Sequence, residues 1–295
     1  MKDLSYLDEL EAKSIYIIRE AYRKFKDHIA ALVSFGKDSV SMLYLIRKAF
    51  FGKIPIPVLH IDTSYKMKEI YEFRDKLAKE WNFKLIVAKN EEALRKGMGP
   101  EKGRFQCCTA LKTEALKQAI KKHKFKALFA AIRRDEHLIR SKERYFSPRD
   151  SQFKWDYLHQ PPELWEQFNV ELDETKTHLR VHPILHWREI DIWLYIKREN
   201  IPFNPLYLSG TRKPGYRYRS LGCEPCCVPI PSNAKTIDEI IEELKTTKVA
   251  ERAGRVQDKE KAFMMQKLRS LGYLILLLFI FNLPFTLKEI LSWLL

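Results

Sequence analysis

The sequence predicts an α/β fold: a parallel sheet with helices on both faces, followed by a mixed C-terminal region. Two observations predict it. Short apolar runs alternate four times with amphipathic segments in the first 140 residues, as βα units require. Polar residues then close the first two runs, where ligands of such sheets sit, beyond the carboxyl ends of the strands.

The elements follow in order. Residues 3 to 28 read as a helix, with Leu4, Leu7, Leu10, Ile15, Ile18 and Tyr22 near helical spacing. HIAALVSF is a strand candidate, and GKDSVSMLYLIRKAF has a helix pattern. IPIPVLHIDTS reads as a second strand, KMKEIYEFRDKLAKEWNF as a helix and KLIVAKN as a strand. TEALKQAIKKHKF is helical and KALFAAIRRDE strand-like. Residues 141 to 180 are charged and aromatic with little periodicity, and read as a long loop. WREIDIWLYIKREN is a short helix. NAKTIDEIIEELKTTKV is another, with Asn233 or Thr236 as its N-cap. The expected division is a nucleotide-binding domain over 1–180, a helical and loop region over 181–273, and an apolar tail over 274–295.

At 295 residues the chain can bury a sizeable core without staples. Its 53 basic and 38 acidic residues leave a net charge of +15, which attracts polyanions without choosing among them. MKDLSYLDELEAKS has no apolar core after a basic start, so it is no secretory signal, and the expected compartment is cytoplasmic. LILLLFIF, residues 274 to 281, falls short of the roughly 20 apolar residues of a membrane span, and buried core or a partner-binding helix is the favoured reading.

SFGKDSV lies between the first strand and its helix, as an anion cradle does. Backbone N–H groups at a helix start and the helix dipole favour a phosphate there. Gly36 allows close approach, Ser34 and Ser39 offer hydroxyls, and Lys37 adds a charge. The loop is not the G-x-x-x-x-G-K-[ST] pattern, and an ordinary strand–helix turn is the alternative. Asp38 could hold Mg²⁺ with the phosphates or cap the helix. Arg133 and Arg134 end a strand, and arginine forks bind sulfate and phosphate oxygens in pairs. Asp62 and Thr63 end the second strand, within reach of a ribose or adenine.

SFGKDS resembles the pyrophosphate-binding loop of the N-type ATP pyrophosphatases, a superfamily shared with the PAPS reductases. VLHIDTSYKMKEIYEFRDKLAKEW, AAIRRDEHLIRSKERYFSPRD, PPELW, HPILHWREIDIWLYIKRENIPFNPLY, SNAKTIDEIIEEL and ERAGRVQDKEKA resemble the small subunit of sulfate adenylyltransferase. The resemblance runs in order from about residue 5 to Tyr273. It implies an adenine nucleotide alpha hydrolase-like fold, with ATP and Mg²⁺ bound through Ser34, Phe35, Gly36, Lys37, Asp38, Ser39, Asp62 and Thr63. The implied reaction makes adenylylsulfate and pyrophosphate from ATP and sulfate. Lys37, Arg133 and Arg134 are its candidate catalytic residues. The implied partner is a larger GTPase subunit, on another polypeptide because this chain has no Walker A loop.

The cysteines depart from that resemblance. All five lie in two knots, QCC (Cys107, Cys108) and GCEPCC (Cys223, Cys226, Cys227). The knots resemble the CC…CxxC pattern by which adenylylsulfate reductases bind a [4Fe–4S] cluster. Four thiolates suit such a cluster or Zn²⁺. Cys107, Cys108, Cys223 and Cys226 match the pattern, with Cys227 as a spare or alternative ligand. Those reductases also carry a C-terminal cysteine in a segment resembling ECGLH, and none follows Cys227 here. The expected function is therefore sulfate adenylyl transfer. The alternatives are an iron–sulfur adenylylsulfate or phosphoadenylylsulfate reductase, an RNA-thiolating ATP pyrophosphatase, for which the basic charge and the interleaved YRYRS speak, and a non-catalytic nucleotide-binding partner protein. Nothing points to DNA.

Overall fold

A computed structural model of the chain describes residues 5–252 apart from 137, 166, 173 and 174. The apolar tail and most of ERAGRVQDKEKA lie outside the described residues.

The sheet has six strands. These are β1 (Ile29–Leu32), β2 (Val58–Ile61), β3 (Leu85–Ala88), β4 (Ala127–Ala130), β5 (Phe146–Asp150) and β6 (Lys176–Val181). Their order is β3-β2-β1-β4-β6-β5, and every pairing is parallel except β5 with β6. Helix α1 (Tyr6–Phe25) precedes β1, and between the strands lie α2 (Lys37–Ala49), α3 (Lys68–Trp81), α4 (Glu91–Arg95), α5 (Arg104–Cys108) and α6 (Ala115–His123). A π-helical turn, Thr109–Glu114, joins α5 to α6. After β6 come α7 (Glu189–Glu199), the two-residue strands β7 (Tyr216–Arg217) and β8 (Ile230–Pro231), and α8 (Ile237–Thr246), capped by Thr236.

Alternation along the strands divides the core. Ile29, Ala31 and Val33 of the first strand run, with Phe129 of β4, join the larger cluster, which takes in Ile17 of α1, Leu43 of α2, Trp193 of α7 and Ile240 of α8. Ala30, Leu59 and Leu128 point the other way, onto Ala115 and Ala119 of α6. Both faces of β1, β2 and β4 are covered, so these strands read as near-continuous apolar runs.

The long loop expected over 141–180 contains β5 and all of β6 but Val181, a correction to the sequence reading. The reason is composition. β6 reads KTHLRV and β5 reads FSPRD, so polar and charged side chains alternate with the apolar ones that reach the core. A proline in β5 is tolerated because it is the edge strand. The expected boundary after residue 180 falls within β6, and α7 and α8 share the larger core with β1 and β4.

Three histidines are fully buried on the strands or just past them. His60 donates from Nδ1 to Val33 O (2.9 Å), and His182 from Nδ1 to Arg144 O (2.8 Å). Burial holds His60 and His178 down to about 3 and His182 to about 4. Their folded values lie below the unfolded value near 6.5, so below that pH the unfolded chain binds more protons. The stability they contribute is complete above pH 6.5 and is lost as pH falls toward 3. Urea unfolding followed from pH 8 to pH 4 is expected to show a steepening loss below about 6.5. His182→Asn should shallow the slope by about 1.4 kcal/mol per pH unit between 6 and 5.

Candidate active site

The strand ends of β1, β2 and β4 carry the residues singled out in the sequence. Phe35 takes a left-handed backbone (φ 61°), which costs a non-glycine residue of order 1 kcal/mol. Its ring is fully buried against His60, 5.2 Å between centroids, and this packing holds the turn. Gly36 then opens α2. A Cβ there would meet the Tyr207 hydroxyl at 3.0 Å, so any other residue would press that buried hydroxyl aside by a few tenths of an ångström. That hydroxyl accepts a hydrogen bond from the Lys37 backbone N–H (2.8 Å). Ser39 Oγ donates to Gly36 O (3.0 Å) and lies 3.2 Å from the hydroxyl of Ser34, which is exposed.

Lys37 and Arg133 are the site's buried cations, at 1% and 0% exposure. Arg133 meets Asp38 Oδ1 through Nε (2.8 Å), Asp135 Oδ1 through Nη1 (3.0 Å) and Glu251 through Nη2. Lys37 Nζ meets Asp38 Oδ2 (3.2 Å), Glu189 Oε1 (3.8 Å) and the other oxygen of Glu251. Arg219 grips Glu189 through Nη2 (2.7 Å) and donates from Nη1 to Val249 O (2.7 Å). Burial works against both charges, yet the carboxylates prevail. Asp38, then Glu251 and Glu189, hold Lys37 above the ordinary lysine value, and Asp38, Glu251 and Asp135 do the same for Arg133. Burial would likewise raise Glu251, but Lys37 and Arg133 pull it well below the usual carboxylate range. Burial and the charge of Glu251 push Glu189 up.

Not every predicted residue joins this centre. Arg134 turns away, its guanidinium 5.2 Å from the Tyr145 ring centroid. Asp62 accepts from Ser64 N (2.8 Å) and Tyr71 Oη (2.7 Å) and pairs with Lys89 (3.0 Å). Thr63 Oγ1 lies 3.1 Å from Cys223 Sγ, which ties the end of β2 to the second cysteine knot. The backbone repeats the tie. Lys66 and Cys223 form an antiparallel bridge, and Glu224 N donates to Tyr65 O (2.8 Å).

The two cysteine knots meet although 115 residues separate Cys108 from Cys223. Burial first, then the neighbouring thiols of Cys108, Cys223 and Cys226, push Cys107 up to about 11. Cys227 belongs instead to the larger apolar core. Burial lowers Lys66 beside this cluster to about 8, with Cys223 opposing the shift and Lys112 adding to it. In number and kind, the four converging thiols fit a thiolate-bound metal or cluster. Among the described residues, however, no three His, Cys, Asp or Glu side chains stand at metal-holding spacing. Consecutive helical residues such as Cys107 and Cys108 point about 100° apart, so loading would require their side chains to rearrange.

The family model of the phosphoadenosine phosphosulfate reductase domain matches residues 28–229. Sulfate adenylyltransferase subunit 2 of Colwellia psychrerythraea is 43% identical, over 92% of this chain and 99% of that protein. The chain belongs to the sulfate adenylyltransferase subunit 2 family. Its counterpart from Zymomonas mobilis is 42% identical over 92% of this chain and 98% of its own length. Among solved structures, phosphoadenylyl-sulfate reductase from Candida auris superposes with a TM-score of 0.53 at 19% identity, covering 77% of this chain and 98% of that one. FMN adenylyltransferase from Candida glabrata gives 0.54 at 16% identity, covering 85% and 87%. Those two likenesses concern the fold alone.

Within this subunit 2 family member, sequence reasoning missed Glu189, Tyr207, Arg219 and Glu251. A signal existed for three of them. Glu189 lies in HPILHWREIDIW, Tyr207 ends NPLY and Glu251 opens ERAGRVQDKEKA, all segments that carry the family resemblance. No charge pattern pointed to their convergence on Lys37.

The Gly36–Tyr207 contact can be tested by a double-mutant cycle. Gly36→Ala is expected to lower the melting temperature because the Tyr207 hydroxyl must move. Tyr207→Phe should cost about 1–3 kcal/mol by leaving the Lys37 N–H unpaired. Together they should cost less than the sum, since removing the hydroxyl also removes the clash.

Proposed function

We propose that this chain is the adenylyl-transferring subunit of a sulfate adenylyltransferase. Its substrates would be ATP, with Mg²⁺, and sulfate. A sulfate oxygen attacks the α-phosphorus, the bond from that phosphorus to the oxygen bridging to the β-phosphate breaks, and pyrophosphate leaves with the electron pair. The observation that carries this reading is family membership across nearly the whole chain, joined to a strand-end centre of buried cations.

Sulfate is a weak nucleophile approaching a phosphate that is already negative. The barrier is therefore lowered mainly by charge neutralisation and alignment, and no covalent nucleophile is needed. Lys37 and Arg133 are the residues proposed to neutralise phosphate charge. The start of α2, from Gly36 to Ser39, would receive the phosphates, with Asp38 as the candidate for Mg²⁺. Asp62 and Thr63 would bound the nucleoside side. Arg134, held on the Tyr145 ring, stands away from these two cations and is not assigned a charge-neutralising role. Because the named relatives are subunits 2, a second subunit is implied, and we propose a GTPase whose hydrolysis drives the uphill step.

Cys107, Cys108, Cys223 and Cys226 are proposed to hold a [4Fe–4S] cluster, with Zn²⁺ as the alternative. Such a group would supply a fixed charge and a cross-link beside Thr63, and no step of the transfer is routed through it. The match to a reductase domain favours a second reading, reduction of adenylylsulfate, but no cysteine follows Cys227 to attack the sulfur.

Purified chain with its GTPase partner should release pyrophosphate in a sulfate-dependent manner. Lys37→Ala should lower that rate by about 10²-fold or more. Sulfite release from adenylylsulfate with thioredoxin, in place of sulfate-dependent pyrophosphate release, would establish the reductase instead. Anaerobically purified chain should contain iron and absorb broadly in the visible, and Cys223→Ser should lose both. Iron-free protein with one bound zinc would select the alternative.

A further inference from the structure

Glu251 stands apart from the other carboxylates of the centre. Asp38 also spans both cations, Oδ2 to Lys37 and Oδ1 to Arg133 Nε, but it is fixed in the first turn of α2, and Asp135 lies two residues from Arg133. Glu251 comes from 214 residues beyond Lys37 and 118 beyond Arg133. One oxygen takes the lysine and the other the arginine, so a single carboxylate spans both cations as two oxygens of a phosphate or sulfate would. It does so at the N-terminus of α2, a 13-residue helix whose dipole favours an anion.

The short stretch that delivers Glu251 is held from both sides. Arg219 Nη1 grips Val249 O (2.7 Å), and Arg252 Nη1 pairs with Glu136 Oε1 (2.6 Å). Glu136 also pairs with Arg140. These anchors are side-chain contacts to residues outside the stretch, and neither belongs to a sheet ladder or a helix. Residues 247 to 252 lie beyond the last residue of α8, so among the described residues no helix or strand need unfold when the stretch leaves.

With Glu251 in place, a solvent anion cannot reach Lys37 or Arg133, which have essentially no exposed surface. The charge balance opposes a further anion as well. Lys37, Arg133 and Arg219 face Asp38, Asp135, Glu189 and Glu251, so the centre is filled with negative charge before any nucleotide arrives. A polyphosphate placed beside Glu251 would meet a like charge in a poorly hydrated place.

We propose that Glu251 is a displaceable counter-anion that keeps the seat of the nucleotide's phosphates between Lys37 and Arg133 and swings out when they enter. The inference rests on the reading above that this centre takes ATP. It makes the 247–252 stretch a strap that closes the empty site and protects two buried cations until substrate replaces the carboxylate. Binding is then weakened by the fraction of time the strap is closed.

The test is calorimetric titration of the full chain with a non-hydrolysable ATP analogue and Mg²⁺. Glu251→Gln keeps the shape and removes the charge. It should bind about tenfold or more tightly than the unaltered chain, as expected when a competing occupant is removed. Equal or weaker binding by the variant overturns the proposal and leaves the ATP reading intact. Binding to neither protein overturns both. A second measurement needs no variant: the analogue should speed tryptic cleavage after Arg252 in the unaltered chain by releasing its pairing with Glu136. Unchanged or slower cleavage overturns the strap even if Glu251→Gln fails to fold.

Discussion

Lys37 and Arg133 carry two positive charges where water scarcely reaches, and a buried unpaired charge costs several kcal/mol. Each must therefore be met by carboxylates held in place from elsewhere in the fold. Asp38 comes from the same helix turn, Asp135 from the loop after β4, Glu189 from the start of α7 and Glu251 from beyond α8. This requirement joins the two halves of the chain. It gives the segment after β6 a reason to pack over the strand ends, and it explains why Arg219 is spent on orienting Glu189 and Val249. A site of this construction suits chemistry that depends on counter-charge and alignment, because its cations are already oriented before substrate arrives.

The cysteine cluster obeys a related constraint one strand away. Thr63 at the end of β2 contacts Cys223, and Tyr65 and Lys66 are zippered to Glu224 and Cys223 through the backbone. Anything that changes the thiols is thus mechanically close to the edge of the proposed nucleotide site. Lys66 is a cation beside the thiols, with burial drawing it down and Cys223 opposing the shift. Cys227 has a separate explanation: it packs in the apolar core.

The parallel sheet was legible because β1, β2 and β4 are buried on both faces and the helices between them are amphipathic. The turn proposed to receive the phosphates stood out through its glycine and its place after the first strand. β5 and β6 were hidden because their residues alternate charge with apolar side chains and include a proline. Arg133 was singled out as a strand-end arginine and lies buried beside Lys37, whereas its neighbour Arg134 was indistinguishable from it in sequence and turns onto Tyr145. Glu189 and Glu251 could not be assigned from spacing, since tertiary packing alone brings them to Lys37. The convergence of the two cysteine knots could be guessed from resemblance, but the tie through Thr63 could not.

On the proposed reading, Lys37 and Arg133 form the seat of an anion, and the Glu251 carboxylate holds that seat until nucleotide binds. A crystal structure of the chain with bound pyrophosphate or an ATP analogue would show the exchange. Phosphate oxygens are expected within hydrogen-bond distance of Lys37 Nζ and the Arg133 guanidinium, with the Glu251 carboxylate moved out. Phosphates bound elsewhere, with Glu251 still bridging the two cations, would contradict it.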